Sequence, residues 1–427
     1  MKIRQIWSLW GVTLLIALST LALSSCSSDS KDTPPPVVPT AELKGIELVS
    51  APHKTDYTLN EELVLDGLKV VAVYEDGSKK PIEVSASQIT GFSTKEAQTN
   101  LKVTVSYKTY TTSFTVNVLP LVVENGKLVK SLFTGEELVL PKTITVLGKG
   151  VFSQSKLKKV TLPEGLQKIE EEAFIFSELE TISFPNELKE IQQYAFYGCK
   201  ALAHAELGNT QVKELGEGAF GFSGITKLSL PQPLKKIGAQ AFMATNLLQQ
   251  VTLPEGVERI GVEAFRESGI KQLELPNTLG AMDQRSFYLC SQLQKVTTYG
   301  ADPKEVSDEN KMDHSAFERC PNLEVFEIPK SIVSIGQSIL GGNDKVKVLT
   351  IPVHVKYITF SAFGYCGVQE VYVKPTTPPQ ATRAEVAWYG FPEKVSFIEV
   401  PAGCKEVYQQ AHGWKEFAKK IRTSTDK

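Results

Sequence analysis

From Leu138 to Glu399 the chain repeats one arrangement of apolar and polar positions. A clean copy is Leu157-x-x-Val160-x-Leu162-Pro163-x-x-Leu166-x-x-Ile169-x-x-x-Ala173-Phe174. The small-residue-plus-Phe pair returns at Ala195-Phe196, Ala219-Phe220, Ala241-Phe242, Ala264-Phe265, Ser286-Phe287, Ala316-Phe317 and Ala362-Phe363. Val151-Phe152 opens the series, and Ile339-Leu340 fills the one missing beat. The spacing is 22 to 24 residues, apart from one gap of 30 between Phe287 and Phe317. A fixed period in the twenties predicts a solenoid, because a unit this small cannot bury its own apolar face and must stack on its neighbours. Within a unit, Leu157, Val160 and Leu162 predict a short strand with inward side chains. Pro163 ends it, since Pro cannot donate to a strand ladder. Leu166 and Ile169 are expected to turn the chain back, Ala173 to fit a tight bend and Phe174 to fill the centre. With strands about 4.8 Å apart, ten units would span on the order of 50 Å.

The texture before the repeats differs. Leu68, Val70, Ala72 and Tyr74 alternate with their neighbours up to Asp76-Gly77, a turn dipeptide, and Ile82 and Val84 resume beyond it, which predicts a hairpin. Leu101, Val103, Val105 and Tyr107 alternate likewise, as do Phe114, Val116 and Val118. About seven short strands over 42–119 predict a β-sandwich. After the repeats, Pro375-Thr376-Thr377-Pro378-Pro379 breaks the period, and Phe397 to Pro401 supplies a last strand. Val407, Tyr408, Ala411, Trp414, Phe417, Ala418 and Ile421 then fall at helix-like spacing, an amphipathic cap for the end of the core. The expected fold class is mainly β: a sandwich, a solenoid over 120–400 and a helical cap over 401–427.

Two resemblances sharpen this outline. The repeat register is similar to the BspA-like leucine-rich repeats of bacterial surface proteins. Tyr57-Thr58-Leu59-Asn60-Glu61-Glu62-Leu63, Gly67 to Val70, Tyr74 to Ser78 and Val103 to Tyr107 resemble bacterial immunoglobulin-like (Ig-like) domains. The first resemblance implies recognition of another macromolecule, adhesion to a host or neighbouring-cell protein. The second implies a spacer that holds the repeats away from a surface.

The first residues read as an address. Lys2 and Arg4 precede an apolar run from Ile6 to Leu23, and Leu23-Ser24-Ser25-Cys26 follows, the layout of a secretory signal over 1–25. Leu-Ser-Ser-Cys resembles the lipobox of bacterial lipoproteins. That resemblance implies cleavage before Cys26, acylation of its thiol and amino terminus, and attachment to a membrane. Ser27 after the Cys points to the outer membrane, and Ser28-Asp29 with Asp32 loosely resembles an acidic surface-export tag. Residues 26–41, with Pro34-Pro35-Pro36 and Pro39, form a tether.

Composition removes several functions. A chain of 427 residues with a formal charge of -2 is not built to coat nucleic acid. Its 5 His and 6 Cys are scattered. His53, His204, His314, His354 and His412 are isolated, and the Glu170-Glu171-Glu172 run suits a wet turn. Cys199, Cys290, Cys320 and Cys366 each follow a repeat Phe by three residues, so the repeat sets their spacing and no close Cys pair of the kind zinc needs is present. Buried thiols are expected, with a Cys290–Cys320 disulfide conceivable in an oxidising compartment. No nucleophile, metallohydrolase, phosphate-loop or dinucleotide motif occurs, so neither catalysis, cofactor nor metal is expected.

The outward strand positions carry the binding expectation. The candidate face runs through Lys227, Gln250, Gln272, Lys295, Val325, Val348, Glu370, Tyr372 and Phe397, polar first and apolar toward the C-terminus, where either a partner or the terminal segment covers it. The extra residues Gly300 to Met312 are expected to form a polar loop. A protein partner comes first. A glycan is the alternative, for which exposed aromatics near Trp388, Tyr389 and Phe391 would speak, and a structural envelope role is the third.

Overall fold

A computed structural model describes residues 41–382 and 390–425. The expected signal, Cys26 and the tether lie outside the described residues, as do Trp388 and Tyr389.

Seven strands build the sandwich. Leu43–Ser50, Lys69–Tyr74 and Lys79–Ile82 form one antiparallel sheet, with Val73 opposite Lys79 and Val70 opposite Ile82 across the Asp76-Gly77 turn. Ile89–Thr90, Gln98–Tyr107 and Tyr110–Glu124 form the other, and Asp56–Leu59 runs parallel to the last of these. Period-two alternation places Val103, Val105, Phe114, Val116 and Val118 inward, against Tyr57 and Val70. The Tyr57 hydroxyl, carried into that core, donates to the Val64 carbonyl at 3.2 Å.

The chain leaves the sandwich without a linker. Strand Tyr110–Glu124 is 15 residues long. Val118 belongs to the sandwich core, whereas Leu121 already belongs to the repeat core. The strand turns at Asn125-Gly126, both left-handed, and pairs with Lys127–Ser131, the first rung of the solenoid. One sheet thus runs from the Ig-like domain into the repeats.

The solenoid has two parallel ladders. The first is the expected strand column, from Glu137–Val139 through Lys159–Thr161 to Phe397–Val400 and Ile421–Thr423, thirteen rungs in four stretches. The second was not foreseen. Leu166 and Ile169 do more than reverse the chain: Lys168–Ile169 is itself a rung, and its equivalents stack unbroken from Lys127–Ser131 to Gln380–Thr382. On the third side, the Phe amide of each coil donates to the carbonyl beside the next Phe, as from Phe174 to Ala195 and Phe220 to Ala241, both at 2.8 Å.

The rings of Phe152, Phe174, Phe196, Phe220, Phe242, Phe265, Phe287 and Phe317 stack face to face up the centre, with centroids 4.9–5.6 Å apart. From Phe174 onward they are fully buried. Each buried ring contributes roughly 1.5–3 kcal/mol. Two residues before and two after each Phe, the backbone is left-handed whatever the residue: Glu172 and Phe176 around Phe174, Gln240 and Ala244 around Phe242, Arg285 and Leu289 around Phe287. These two reversals press the Phe inward. A non-glycine residue there costs about 1–2 kcal/mol, and burial of the ring offsets part of the cost of the two.

Two expectations are corrected, and the condition for the glycan alternative is not met at Phe391. Of the residues 300–312, Lys311–Met312 is a rung of the second ladder with Met312 fully buried, because its apolar side chain takes the place Ile169 takes earlier. The loop ends before it and is held by Lys330 to Asp302 and Lys356 to Asp308, at 2.5 and 2.6 Å. Phe391 is no exposed platform: it stacks on Phe363 and continues the ring column. The terminal segment is not one helix, since the backbone is extended at Ala411 and left-handed at Gly413, φ 80°. Lys405–Gln410 is α-helical, Trp414–Lys420 is a 3-10 turn and Ile421–Thr423 is the last rung. The cap is nonetheless there. Trp414 and Tyr408 are fully buried and donate to the carbonyls of Pro379 and Pro375, at 2.8 and 2.7 Å.

Candidate functional site

The expected face is assembled in register. Gln250, Gln272, Lys295 and Val325 stack on one another, as do Val348, Glu370 and Phe397, while Lys227 stacks on His204. Val325 and Val348 stand 44% and 48% exposed. The end of the column is partly covered. Phe397 meets Tyr372 edge-on at 5.7 Å, and the Arg422 guanidinium lies 3.3 Å over the Phe397 ring while also bonding Glu399. The apolar end of this face is therefore shared between solvent and the terminal strand.

A concavity lies on the second ladder. A groove of about 1300 Å³ crosses six consecutive coils, from Glu171 to Asp283. None of the nine residues of the expected face lines it. Its floor is bare where Gly216, Gly238 and Gly261 stack. A Cβ on Gly238 would lie 2.5 Å from the Leu215 carbonyl oxygen, so the coils pack too closely there for a side chain. The walls are charged in pairs. Lys168 meets Glu190 at 2.9 Å, and Arg259 grips Asp283 through two 2.8 Å hydrogen bonds, the bidentate geometry that fixes a guanidinium. The acidic run is bound in the same way, Glu170 to Lys127 and Glu171 to Lys149. The Leu-Gly, Ile-Gly and Ile-Gly dipeptides at 215–216, 237–238 and 260–261 are the trace this floor leaves in the sequence.

The cysteine register is structural. Ser223 and Thr245 occupy it in other coils and donate to the carbonyl of their own Phe. Cys199 and Cys290 donate instead to the Phe carbonyl of the preceding coil, at 3.0 and 3.1 Å. All four thiols are buried and free. Burial pushes those of Cys199 and Cys366 up to about 11, so they stay protonated and unreactive at neutral pH. No group of three or more metal-ligating side chains occurs among the described residues. Exposed His204 has the Glu206 carboxylate 3.8 Å away and Lys227 beside it on the next rung.

A solenoid of parallel β-rungs with a stacked Phe column, fronted by an Ig-like sandwich, defines a leucine-rich-repeat protein. The model of the BspA type leucine rich repeat region, in 6 copies, matches residues 130–243, 213–309 and 304–379, and the chain belongs to that family. The bacterial Ig-like domain (group 3) matches residues 50–118. Among solved structures, the pneumococcal vaccine antigen PcpA is 18% identical over 86% of this chain and 98% of its own, with a TM-score of 0.34. The Treponema pallidum leucine-rich repeat protein is 20% identical over 52% and 82%, with a TM-score of 0.33. A leucine-rich repeat protein from Bacteroides ovatus is 14% identical over 75% and 90%, with a TM-score of 0.29. No curated protein matches the chain.

Proposed function

We propose that this is a cell-surface lipoprotein of the outer membrane whose repeat domain recognises another protein without catalysing a reaction. The observation that carries this reading is the groove across six coils. Its wall charges are largely neutralised in pairs, so affinity there comes from shape and hydrogen bonding along an extended partner rather than from net charge. Family membership supports the same role. Lipid on Cys26 would anchor the chain. The Ig-like domain, joined to the solenoid through one shared strand, would hold the groove at a fixed distance and angle from the anchor.

The test has two arms. Intact cells are treated with external protease and stained with antibody to the repeats, and the mature protein is screened against arrays of host and bacterial proteins and of glycans. Surface exposure with saturable protein binding is expected. Val262→Arg, which fills the groove from an exposed position, should weaken that binding at unchanged stability. A protease-protected chain that binds no protein would overturn the reading in favour of a periplasmic structural role. Binding confined to the glycan array would overturn it in favour of the glycan alternative.

A further inference from the structure

The groove has a rim that the fold does not require. Phe176, Tyr194, Tyr197 and Phe222, from three consecutive coils, meet outside the Ala-Phe turn. Phe176 and Tyr194 each pack edge-on against Tyr197 at 5.6 Å, and Phe222 lies tilted against it at 5.3 Å. Phe176 is 52% exposed and Phe222 is 40% exposed. Glycines make room for the rings: a Cβ on Gly198 would sit 2.3 Å from the Phe176 ring, and one on Gly218 2.4 Å from the Tyr194 ring. Phe176, Tyr194 and Phe222 hold φ of 55°, 56° and 55°, a backbone cost that bulky side chains normally avoid. Elsewhere the left-handed register before the Phe carries Glu172, Gln240, Arg285 and Ser315, and the one after it carries Gln154, Ala244, Glu267, Leu289 and Arg319, with no aromatic among them. Exposed aromatics at strained positions add little to stability, and their clustering in three coils marks a contact surface.

One carboxylate beside the cluster has no cationic partner. The Tyr194 hydroxyl donates to Glu217, with which no Lys or Arg pairs among the described residues. Glu171, paired with Lys149, stands nearby on the groove wall. That hydrogen bond first, then burial and the fields of Glu217 and Glu171, push the Tyr194 phenol up to about 12. No two of the contacting rings are parallel, so the cluster presents separate ring faces rather than one continuous flat surface. Exposed ring faces beside an unpaired carboxylate suit a cation carried on an apolar stem.

We propose that this rim docks a protein segment presenting a Lys or Arg side chain flanked by apolar residues, its charge against Glu217 and Tyr194 and its stem on Phe176 and Phe222. This rests on the protein-binding reading above and names the partner's chemistry. The test measures fluorescence anisotropy with the mature full chain and labelled dodecapeptides of three Gly-Arg-Leu-Ser repeats, with Gln-for-Arg and Glu-for-Arg counterparts. The Arg peptide should bind about tenfold tighter than the Gln peptide, and the Glu peptide weakest. Phe176→Asn and Phe222→Asn, which tolerate the left-handed backbone, should each lose about tenfold at an unchanged melting temperature. Glu217→Gln should lose about threefold and flatten the salt dependence.

Equal binding of the three peptides, binding of none, or Asn variants that bind like the parent would overturn the proposal. So would a chito- or cello-oligosaccharide binding in a Tyr197-dependent way, or self-association abolished by Phe176→Asn. Should the Arg peptide respond to Val262→Arg but not to the rim variants, the rim proposal falls while the protein-binding reading stands. Should the protein array be blank as well, both fall.

Discussion

Two stretches of the same rim differ on the outside and agree within. In the coils of Phe174, Phe196 and Phe220 the central rings lie 5.1 Å apart, and in those of Phe265, Phe287 and Phe317 they lie 5.0 and 4.9 Å apart. The amide of Phe174 reaches Ala195 at 2.8 Å and that of Phe265 reaches Ser286 at 2.7 Å. The left-handed positions match as well, with Tyr194 at φ 56° and Arg285 at φ 57°. Outside, the first stretch carries the aromatic cluster and Glu217. The second carries Tyr288 with the guanidinium groups of Arg266, Arg285 and Arg319 at 5.5–5.9 Å, two of them balanced by Glu263. The backbone accepts either chemistry because ring stacking and inter-coil hydrogen bonds, not the rim side chains, fix its path. Each coil contacts only its neighbours, so rim chemistry can change coil by coil without disturbing the fold.

The sharpest way to break this comparison is to mutate inside and outside two residues apart. Phe220→Ala removes a fully buried ring stacked on Phe196 and Phe242 and should cost about 3–5 kcal/mol in urea denaturation. Phe222→Asn should stay within about 0.5 kcal/mol of the parent. Similar losses from both would mean that the rim belongs to the core after all. Trp414→Ala tests the end of the stack on the same scale. It empties a buried site and leaves the Pro379 carbonyl without its donor, so about 3 kcal/mol should be lost, with hydrogen exchange rising first in the last coils.

The groove floor comes next in size. Gly238→Ala places a Cβ 2.5–2.8 Å from the main chain of the coil below. A cost of about 1–3 kcal/mol is expected, because backbone cannot step aside as a flexible side chain can. Ala at Gly165, which has open space around it, is the control and should be neutral. If Gly238→Ala were equally neutral, the coils would not be held apart by as little as the floor implies.

What was legible in the residues follows from these distances. The Ala-Phe column, the period and the first ladder repeat side-chain type, and burial demands that repetition, so they stand out in the sequence. Most rungs of the second ladder are two residues long, such as Lys168–Ile169, too short for alternation to reveal. The left-handed positions hold Glu, Gln, Phe, Arg and Ser alike, so no residue type signals them. Helix-like spacing from Val407 to Ile421 misled because Gly413 splits it and Ile421 joins a ladder instead. The rim cluster joins Phe176, Tyr197 and Phe222, residues more than twenty apart, and these meet only because the coils stack, with Tyr197 one residue after its central Phe and Phe176 and Phe222 two after theirs.

The smallest expected effect isolates the charge half of the comparison. The Tyr194 phenol, hydrogen-bonded to Glu217, is pushed up to about 12, against about 10 for an ordinary tyrosine. A group whose folded value is raised stabilises the fold fully below the ordinary value, and that contribution is lost as pH rises through the folded one. Tyr194 should therefore have no influence on the pH dependence of stability near neutrality and act only between about pH 10 and 12. In that window the parent should lose stability with rising pH more steeply than Tyr194→Phe. The difference in phenolate absorbance between the two proteins gives the titration directly. Glu217→Gln should bring it down, though not fully to the ordinary value, because burial still disfavours the phenolate. A Tyr194 titration unmoved by Glu217→Gln would mean that the carboxylate does not reach the ring cluster. The aromatic stretch would then differ from the arginine stretch in shape alone, and a neutral apolar segment would suit it as well as a cationic one.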